Sequence, residues 1–187
     1  MKKEITLAGF GGQGVLSMGL FLAHAGMSED KKVSYVPAYG AEMRGGTANC
    51  TVIISEKEIS SPVVAHPEVV VVMNHPSLDK FEPLVKKDGL LLINESLVHR
   101  NPYRTDIEAY IIPAQELAAE IGMPQGSNMI MLGALLEATN VVNKDNIYDY
   151  LVKTFKGRYL DKMPLNVKAI ETGMNFFKEL DKKKASA

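Results

Sequence analysis

The sequence lacks several features that mark particular classes of protein. It contains one cysteine, Cys50, and no tryptophan. A single thiol cannot form an internal disulfide, which fits a reducing compartment, and it cannot hold an iron–sulfur cluster by itself. The formal net charge is only -1, with acids and bases mixed along the chain. Because nucleic-acid binding requires a strongly basic field, no nucleic-acid partner is expected.

Long apolar runs are also missing. The most apolar segment is broken by Ser17, His24 and several glycines, so no membrane span is predicted. The first residues lead straight into a strand-like segment without the apolar core of a signal peptide. We therefore expect a cytoplasmic protein with no membrane partner.

What the sequence does contain is typical of one globular domain. Hydrophobic residues make up 46% and charged residues 23% of the 187 residues, which suits a chain with a substantial core. The runs at 68–73 and 89–94 are almost continuously apolar, as in central parallel strands, and the pattern is helical from residue 115 onward. This order predicts an α/β fold: a Rossmann-like, three-layer, mostly parallel doubly wound sheet with a helical C-terminal part.

Periodicity also gives expected bounds for the elements. Strands are predicted at 4–9, 33–37, 48–55, 68–73, 89–94 and 109–113. Helices are predicted at 12–27, 76–85, 115–121, 127–139, 144–153 and 164–180, with Ser127 as an N-cap. All of them belong to a single α/β domain at 1–187, in which residues 181–187 are expected to form a flexible tail.

A glycine-rich turn follows the first predicted strand. Residues 9–14 read G-F-G-G-Q-G and match G-x-G-x-x-G at a strand-to-helix junction. Glycines permit positive φ and close approach of the backbone, and the first N–H groups of a helix have no internal acceptor. With the positive end of the helix dipole, these donors favour a phosphate or carboxylate. The candidate residues are Gly9, Gly11, Gly12, Gln13 and Gly14.

The turn by itself leaves three interpretations open. A nicotinamide dinucleotide site needs an acid at the end of the second strand, roughly 20 residues beyond the glycines, to bind the ribose hydroxyls. That strand ends in Y-V-P-A without an acid, and Glu42 lies 28 residues after Gly14, within a loop. The turn could instead serve only for close packing of the helix on the strand. The third interpretation is a site for some other phosphate or anion.

A second glycine-rich segment follows the second predicted strand. Residues 39–47 read Y-G-A-E-M-R-G-G-T, and loops after the strands of such a sheet gather over one crevice. The guanidinium of Arg44, followed by two glycines, would suit a phosphate or carboxylate. Glu42 could hold Arg44 in place or face a partner subunit; alternatively the two form an exposed ion pair without a role. The candidate residues are Tyr39, Glu42, Arg44, Gly45 and Gly46.

Both segments together resemble a known family. G-F-G-G-Q-G-V at 9–15 and A-Y-G-A-E-M-R-G-G-T-A-N-C at 38–50 are similar to the gamma subunit of 2-oxoacid:ferredoxin oxidoreductases, as are the stretches at 60–64 and 124–128. The similarity covers essentially the whole chain. It is closer to the 2-oxoglutarate and branched-chain 2-oxoacid members than to the pyruvate members. Ala41 stands where a proline is expected, which affects only the loop backbone.

The resemblance implies one subunit of a multi-subunit enzyme. Such enzymes oxidatively decarboxylate a 2-oxoacid, form an acyl-coenzyme A and pass electrons to ferredoxin. Thiamine diphosphate would lie on alpha and beta subunits and iron–sulfur clusters on beta or delta subunits. This chain would then bind no cofactor alone and would be inactive in isolation. Its two glycine-rich segments would hold an anion, such as part of coenzyme A, or brace the subunit interface.

The other reactive side chains predict neither a catalytic residue nor a metal ligand. The four histidines lack metal-ligand spacing: His24 is expected in a helix core, and His66 and His75 precede prolines in loops. Cys50 lies in a predicted strand without an adjacent base, so it is expected to be packed rather than nucleophilic.

Two other hypotheses remain open at this stage. The chain could be an independent nucleotide-binding module, either a dehydrogenase or a regulator, that uses the glycine turn. It could also be a scaffold whose loops bind nothing small. A homodimer of the isolated chain is a further expectation, formed through the methionine-rich segment 128–136.

Overall fold

The computed structural model describes residues 1–39, 47–154 and 162–186. The strands are β1 (Lys2–Phe10), β2 (Lys32–Tyr39), β3 (Thr47–Ser55), β4 (Val69–Val72), β5 (Leu90–Asn94) and β6 (Glu108–Ile112). The helices are α1 (Val15–Ser28), α2 (His75–Phe81), α3 (Ala114–Glu120), α4 (Ser127–Thr139), α5 (Lys144–Thr154) and α6 (Met163–Ala185). Every strand and helix predicted from periodicity is present, with small shifts at the ends.

Within the described residues, the strands form one sheet in the order β2-β3-β1-β4-β5-β6. Strands β1, β4, β5 and β6 are parallel, whereas β3 is antiparallel to both β1 and β2. It follows that β2 runs in the same direction as β1, and only β3 runs the other way. The mostly parallel α/β sheet predicted from the sequence is confirmed, with a reversed strand inserted between β1 and β2.

The two faces of the sheet are covered unequally. Helix α1 packs on one face together with the C-terminal helices, around a core that includes Leu7, Cys50 and Leu92. The other face carries a smaller core around Val70 and Leu78, covered by α2. All four valines of β4 are buried, which explains why this strand reads as a continuous apolar run. The layers are therefore three, as predicted, but the second helical layer is thin.

Helices α4 and α6 meet at two glycines. A Cβ built at Gly133 would lie 2.0 Å from the carbonyl oxygen of Ile170, and one at Gly173 would lie 1.9 Å from the carbonyl oxygen of Ile130. Each glycine therefore faces the backbone of the other helix. The absence of a side chain lets the two helices approach closely enough to seal the core.

The methionine-rich segment is not an exposed interface. Every residue of α4 from Met129 to Leu136 is buried, because α4 lies between the sheet and α6. The prediction that a homodimer forms through residues 128–136 is wrong as to this surface, since the segment is covered within the chain. A helix that is apolar all round suits either a core or an interface, and here the C-terminal helix covers it. The homodimer itself stays a prediction, without this surface to support it.

The end of α6 extends further than the sequence pattern indicated. The helix continues through Ala185, and it includes most of the segment for which a flexible tail was predicted. The hydroxyl of Tyr110 on β6 donates to the Asp181 carboxylate, and the ammonium of Lys184 lies 4.2 Å from the centre of the Tyr110 ring. These contacts hold the last turns of α6 against the outer strand. In the described ranges, no helix has the length and apolar character needed to cross a membrane.

Candidate functional site

The glycine turn lies at the carboxyl end of β1 and leads directly into α1. Gly12 has a φ of 97° and Gly14 a φ of 74°, backbone conformations that side-chain-bearing residues rarely adopt. Gly14 is the N-cap of α1, and no side chain among the described residues caps this helix. Because the first turn has no intrahelical acceptors for its N–H groups, residues 15–17 present backbone donors at the positive end of the helix dipole.

A second helix begins at the same place. The N-cap of α4 is Gly126 rather than the predicted Ser127, and it too lacks a side-chain hydrogen bond. The amide of Asn128, in the first turn of α4, lies against the glycine turn: a Cβ at Gly14 would be 2.4 Å from Asn128 Nδ2. Two helix N-termini that no described side chain caps therefore meet over Gly14. Sequence reasoning missed Asn128 as a site residue, although the family-like stretch at 124–128 contains it.

The side chain of Gln13 turns inward. Its Oε1 accepts hydrogen bonds from the backbone N–H of Phe10 at 2.6 Å and from Asn74 Nδ2 at 2.9 Å. Its Nε2 donates to the carbonyl oxygen of Met73 at 3.3 Å. A Cβ at Gly9 would lie 2.7 Å from Gln13 Oε1, so Gly9 leaves room for this amide. Both residues belong to the frame of the turn, and the close-packing role considered for the glycines applies to Gly9.

The second glycine-rich segment begins and ends beside this turn. In the sheet register, Tyr39 pairs with Ala48 and Thr47 pairs with Phe10, so both flanks of the segment lie at the carboxyl edge of β1. Glu42, Arg44, Gly45 and Gly46 lie outside the described residues, as does the side chain of Tyr39. The meeting of Arg44 with the glycine turn stays a prediction.

The sheet order does not support a nicotinamide dinucleotide site. In that site, the second strand lies beside the first and its terminal acid reaches the ribose. Here β3 separates β1 from β2, which places their ends two strand spacings apart, roughly 10 Å. The last residues of β2 carry no acid. The G-x-G-x-x-G pattern is thus present without the partner strand that gives it this function.

Cys50 is packed, as predicted. The residue is fully buried on β3 beneath α1, and a Cβ at Gly19 would lie 2.5 Å from its sulfur. Burial raises the pKa of the Cys50 thiol to about 12, although a hydrogen bond with the backbone of Gly19 opposes this shift. A group with this pKa stays a neutral thiol at physiological pH and is a poor nucleophile.

The native protein should therefore resist thiol reagents. At pH 8 only roughly one Cys50 in ten thousand would be a thiolate, and the sulfur is shielded as well. We expect the folded chain to react with an aromatic disulfide reagent at least about a hundredfold more slowly than free cysteine. In guanidinium chloride the same chain should release one equivalent of chromophore. Rapid labelling of the folded protein would contradict the buried position of Cys50.

Within the described ranges, the histidines show no metal-binding arrangement. His24 is half-buried on α1, and its ring stacks on Tyr150 at 3.8 Å between centroids. His75 is the first residue of α2 rather than a loop residue, and its Nε2 lies 3.6 Å from the carboxylate of Asp79. Among the residues that the structure describes, no three His, Cys, Asp or Glu side chains lie together as a metal site would require.

An open cavity of about 810 Å³ lies at the opposite, amino edge of the sheet. Its lining carries charges of both signs, and two of the ion pairs lie within it: Lys86 is 3.2 Å from Glu68 and Lys178 is 3.3 Å from Glu137. This mixture of signs gives the cavity no strong preference for a ligand of one charge. The carboxyl edge has the opposite character, with helix donors that have no acceptor within the described part of the chain, and we take it as the candidate site.

A known family matches the chain over most of its length. The family model for pyruvate ferredoxin/flavodoxin oxidoreductase matches residues 4–176. The chain belongs to this family. The resemblance predicted from the two glycine-rich segments is thereby confirmed.

Relatives within the family occur both as short chains and as parts of longer ones. The chain is 34% identical to 2-oxoglutarate synthase subunit KorC from Methanocaldococcus jannaschii, with 96% of each chain covered. It is 39% identical to ketoisovalerate oxidoreductase subunit VorA from Methanothermobacter marburgensis, with 92% of this chain but only 36% of VorA covered. The chain thus spans about a third of the length of the VorA relatives.

Solved structures of the family share the fold. The gamma subunit of keto/oxoacid ferredoxin oxidoreductase from Geobacter sulfurreducens superposes with a TM-score of 0.81 at 24% identity, covering 95% of this chain and 99% of that one. A 2-oxoglutarate:ferredoxin oxidoreductase from Magnetococcus marinus, solved with 2-oxoglutarate, coenzyme A and succinyl-CoA bound, gives 0.84 at 23% identity. It covers 95% of this chain and 31% of the other.

Proposed function

We propose that this chain is the gamma component of a 2-oxoacid:ferredoxin oxidoreductase that converts a 2-oxoacid to its acyl-coenzyme A in the cytoplasm. The observation that carries the proposal is the end-to-end match with KorC, a chain of similar length that is named as a subunit of 2-oxoglutarate synthase. The VorA relatives add support, because the same domain is there one part of a longer oxidoreductase chain. The domain therefore works together with other domains or subunits.

The partners in this proposal are separate alpha, beta and delta subunits. Thiamine diphosphate would be bound by alpha and beta, iron–sulfur clusters by beta or delta, and ferredoxin would take electrons from the assembled complex. This chain would supply neither cofactor. We favour 2-oxoglutarate or a branched-chain 2-oxoacid over pyruvate, since KorC and VorA relatives reach 34–39% identity, whereas common pyruvate/ketoisovalerate gamma subunits, like one further KorC, are 30% identical.

Within the complex, the carboxyl-edge crevice would position an anionic group of coenzyme A. Coenzyme A carries phosphates, and phosphates bind well at helix N-termini that offer free backbone donors. The turn at 11–14, the first turn of α1 and the first turn of α4 with Asn128 meet here, and no side chain in the described part of the chain caps either helix. Arg44 would add a guanidinium fork from the neighbouring segment, with Gly45 and Gly46 allowing close approach. Glu42 and Tyr39 would orient Arg44 or contact a partner subunit.

The test is reconstitution with the partner subunits. The tagged chain should co-purify with thiamine-bearing and cluster-bearing subunits, and the complex should reduce ferredoxin only when a 2-oxoacid and coenzyme A are both present. A chain that remains alone when these subunits are co-expressed would overturn the assignment. So would tight binding of NAD by the isolated chain.

Arg44→Ala tests the coenzyme A contact. We expect the KM for coenzyme A to rise by about tenfold or more, since a charge-assisted hydrogen bond is lost, while the KM for the 2-oxoacid changes little. Arg44→Lys should recover only part of the effect, because an ammonium cannot bind bidentately. Lys57→Ala, which removes an exposed cation beyond the amino edge, is the charge-matched control. Unchanged coenzyme A kinetics in Arg44→Ala would favour a scaffold role.

A further inference from the structure

We infer that Gln13 and Asn74 are positioning residues that lock the glycine turn to the ends of the neighbouring strands. The inference rests on the proposed function for its ligand, an anionic group of coenzyme A. It assigns Gln13 to the support of the site rather than to ligand contact. It also adds Asn74, which lies 61 residues away along the chain, to the residues on which the site depends.

Gln13 closes the turn on Phe10 from two sides. The backbone N–H of Gln13 donates to the carbonyl oxygen of Phe10 at 3.1 Å, and the N–H of Phe10 donates to Gln13 Oε1 at 2.6 Å. The two residues therefore hold each other through one backbone bond and one side-chain bond. This pairing fixes the path of the chain across Gly11 and Gly12, where glycine would otherwise allow many conformations.

Asn74 ties this closed turn to the next element of the fold. It is only 2% exposed and lies just after β4. Its Nδ2 donates to Gln13 Oε1 at 2.9 Å, while its Oδ1 accepts from the backbone N–H of Ser77 at 3.0 Å and caps α2. One amide thus serves two structures, as donor to the glycine turn and as acceptor for the helix.

The carbonyl oxygen of Met73 completes the network. It accepts from Gln13 Nε2 and from Asn94 Nδ2, each at 3.3 Å, and Asn94 is fully buried at the end of β5. The N–H of Met73 donates to Ala8 on β1 at 2.8 Å. The carboxyl ends of β1, β4 and β5 are therefore joined by amides that surround one backbone position. Because these amides are linked to one another through the backbone of Met73, they restrict the motion of the three strand ends.

The network requires amides at positions 13 and 74. Residue 13 must accept two hydrogen bonds and donate a third, which a carboxylate or hydroxyl cannot do in this geometry. Since Oε1 and one N–H of Nε2 are used inside the protein, the amide of Gln13 belongs chiefly to the frame of the turn. Its contribution is to hold the backbone donors of the turn in place before the anion arrives, which lowers the entropic cost of binding.

Asn74→Asp removes the hydrogen bond from Asn74 to Gln13 but keeps the cap of α2. Aspartate still accepts from the N–H of Ser77, but it cannot donate to Gln13 and it places a negative charge beside Oε1. In the full-length chain, hydrogen exchange of the Phe10 and Gln13 amides should accelerate by about tenfold, while exchange of Ser77 and Leu78 stays the same. Asn74→Ala should accelerate exchange at both places. Gln13→Glu keeps the acceptor for Phe10 and Asn74 but replaces the donor to Met73 with a charged oxygen, and it should also accelerate exchange at Phe10 and Gln13.

Exchange and kinetics together separate the two proposals. In the reconstituted complex, Asn74→Asp should raise the KM for coenzyme A by about tenfold with little change in kcat. Unchanged exchange at Phe10 and Gln13 in both Asn74→Asp and Gln13→Glu would overturn the inference. Accelerated exchange in Asn74→Asp would still support the positioning role of Gln13 and Asn74. If coenzyme A kinetics were unchanged in both Asn74→Asp and Arg44→Ala, the proposed coenzyme A site would be overturned.

Discussion

Gly173→Ala is expected to lower the free energy of unfolding by about 3 kcal/mol or more, the upper end for overpacking a core. The added Cβ would lie 1.9 Å from the carbonyl oxygen of Ile130, and a backbone atom cannot rotate away as a side chain can. Helices α4 and α6 would have to separate, which opens the core between them. In an exposed helix the same substitution would instead stabilise by up to about 1 kcal/mol. Urea denaturation followed by circular dichroism measures the difference.

A matched control lies two residues further along α6. Asn175→Ala replaces an exposed residue and should change the free energy of unfolding by less than about 0.7 kcal/mol. Gly133→Ala, on the facing helix, should resemble Gly173→Ala, with its Cβ 2.0 Å from the carbonyl oxygen of Ile170. The double variant should lower the free energy of unfolding by less than the sum of the two single variants, because one separation of the helices relieves both clashes. If the two losses of unfolding free energy were additive, the two glycines would not belong to one contact between α4 and α6.

Gly14→Ala is expected to disrupt the site as well as the fold. Gly14 has a φ of 74°, and a Cβ there would lie 2.4 Å from Asn128 Nδ2. Alanine would incur the strain of a left-handed backbone, about 1–2 kcal/mol, and would also displace Asn128 and the start of α4. In the reconstituted complex we expect the KM for coenzyme A to rise by more than about tenfold, because both helix N-termini shift.

Gly122→Ala provides the control for backbone strain. Gly122 has a φ of 80°, and a Cβ placed there would have no described atom within 4 Å, so alanine would meet the same backbone strain without a clash. It should lower the free energy of unfolding by about 1 kcal/mol and leave coenzyme A kinetics unchanged. If Gly14→Ala and Gly122→Ala behave alike in both measurements, the meeting of α1 and α4 does not matter for the site.

The parts of the fold that the sequence predicted depend on local patterns. Strand β4 is apolar throughout because both of its faces are buried. The G-x-G-x-x-G pattern predicts a turn between a strand and a helix, and the glycine turn lies at such a junction. The order of the strands depends on long-range pairing, which local periodicity does not encode. The insertion of β3 between β1 and β2 was for that reason not predicted, although it decides against the dinucleotide interpretation.

The same distinction applies to the site. The sequence predicted Gly9, Gly12 and Gly14 as candidate site residues because their spacing is local. The inward turn of Gln13 depends on Asn74, and the contact of Asn128 with Gly14 depends on the start of α4. Each of these partners lies more than 60 residues away in sequence, so only the folded chain brings them together. Helix α4 is apolar on all sides, so the sequence alone could not show whether it packs in the core or forms an interface with another chain.

The close crossing at Gly133 and Gly173 also has a consequence for synthesis on the ribosome. Helix α6 lies C-terminal to every element that it covers, so the nascent chain makes the sheet and α4 before their cover exists. At a translation rate of roughly 5–20 residues per second, the apolar surface of α4 stays uncovered for seconds while α5 and α6 are synthesised. During that interval we expect chaperones of nascent chains to bind the uncovered surface of α4.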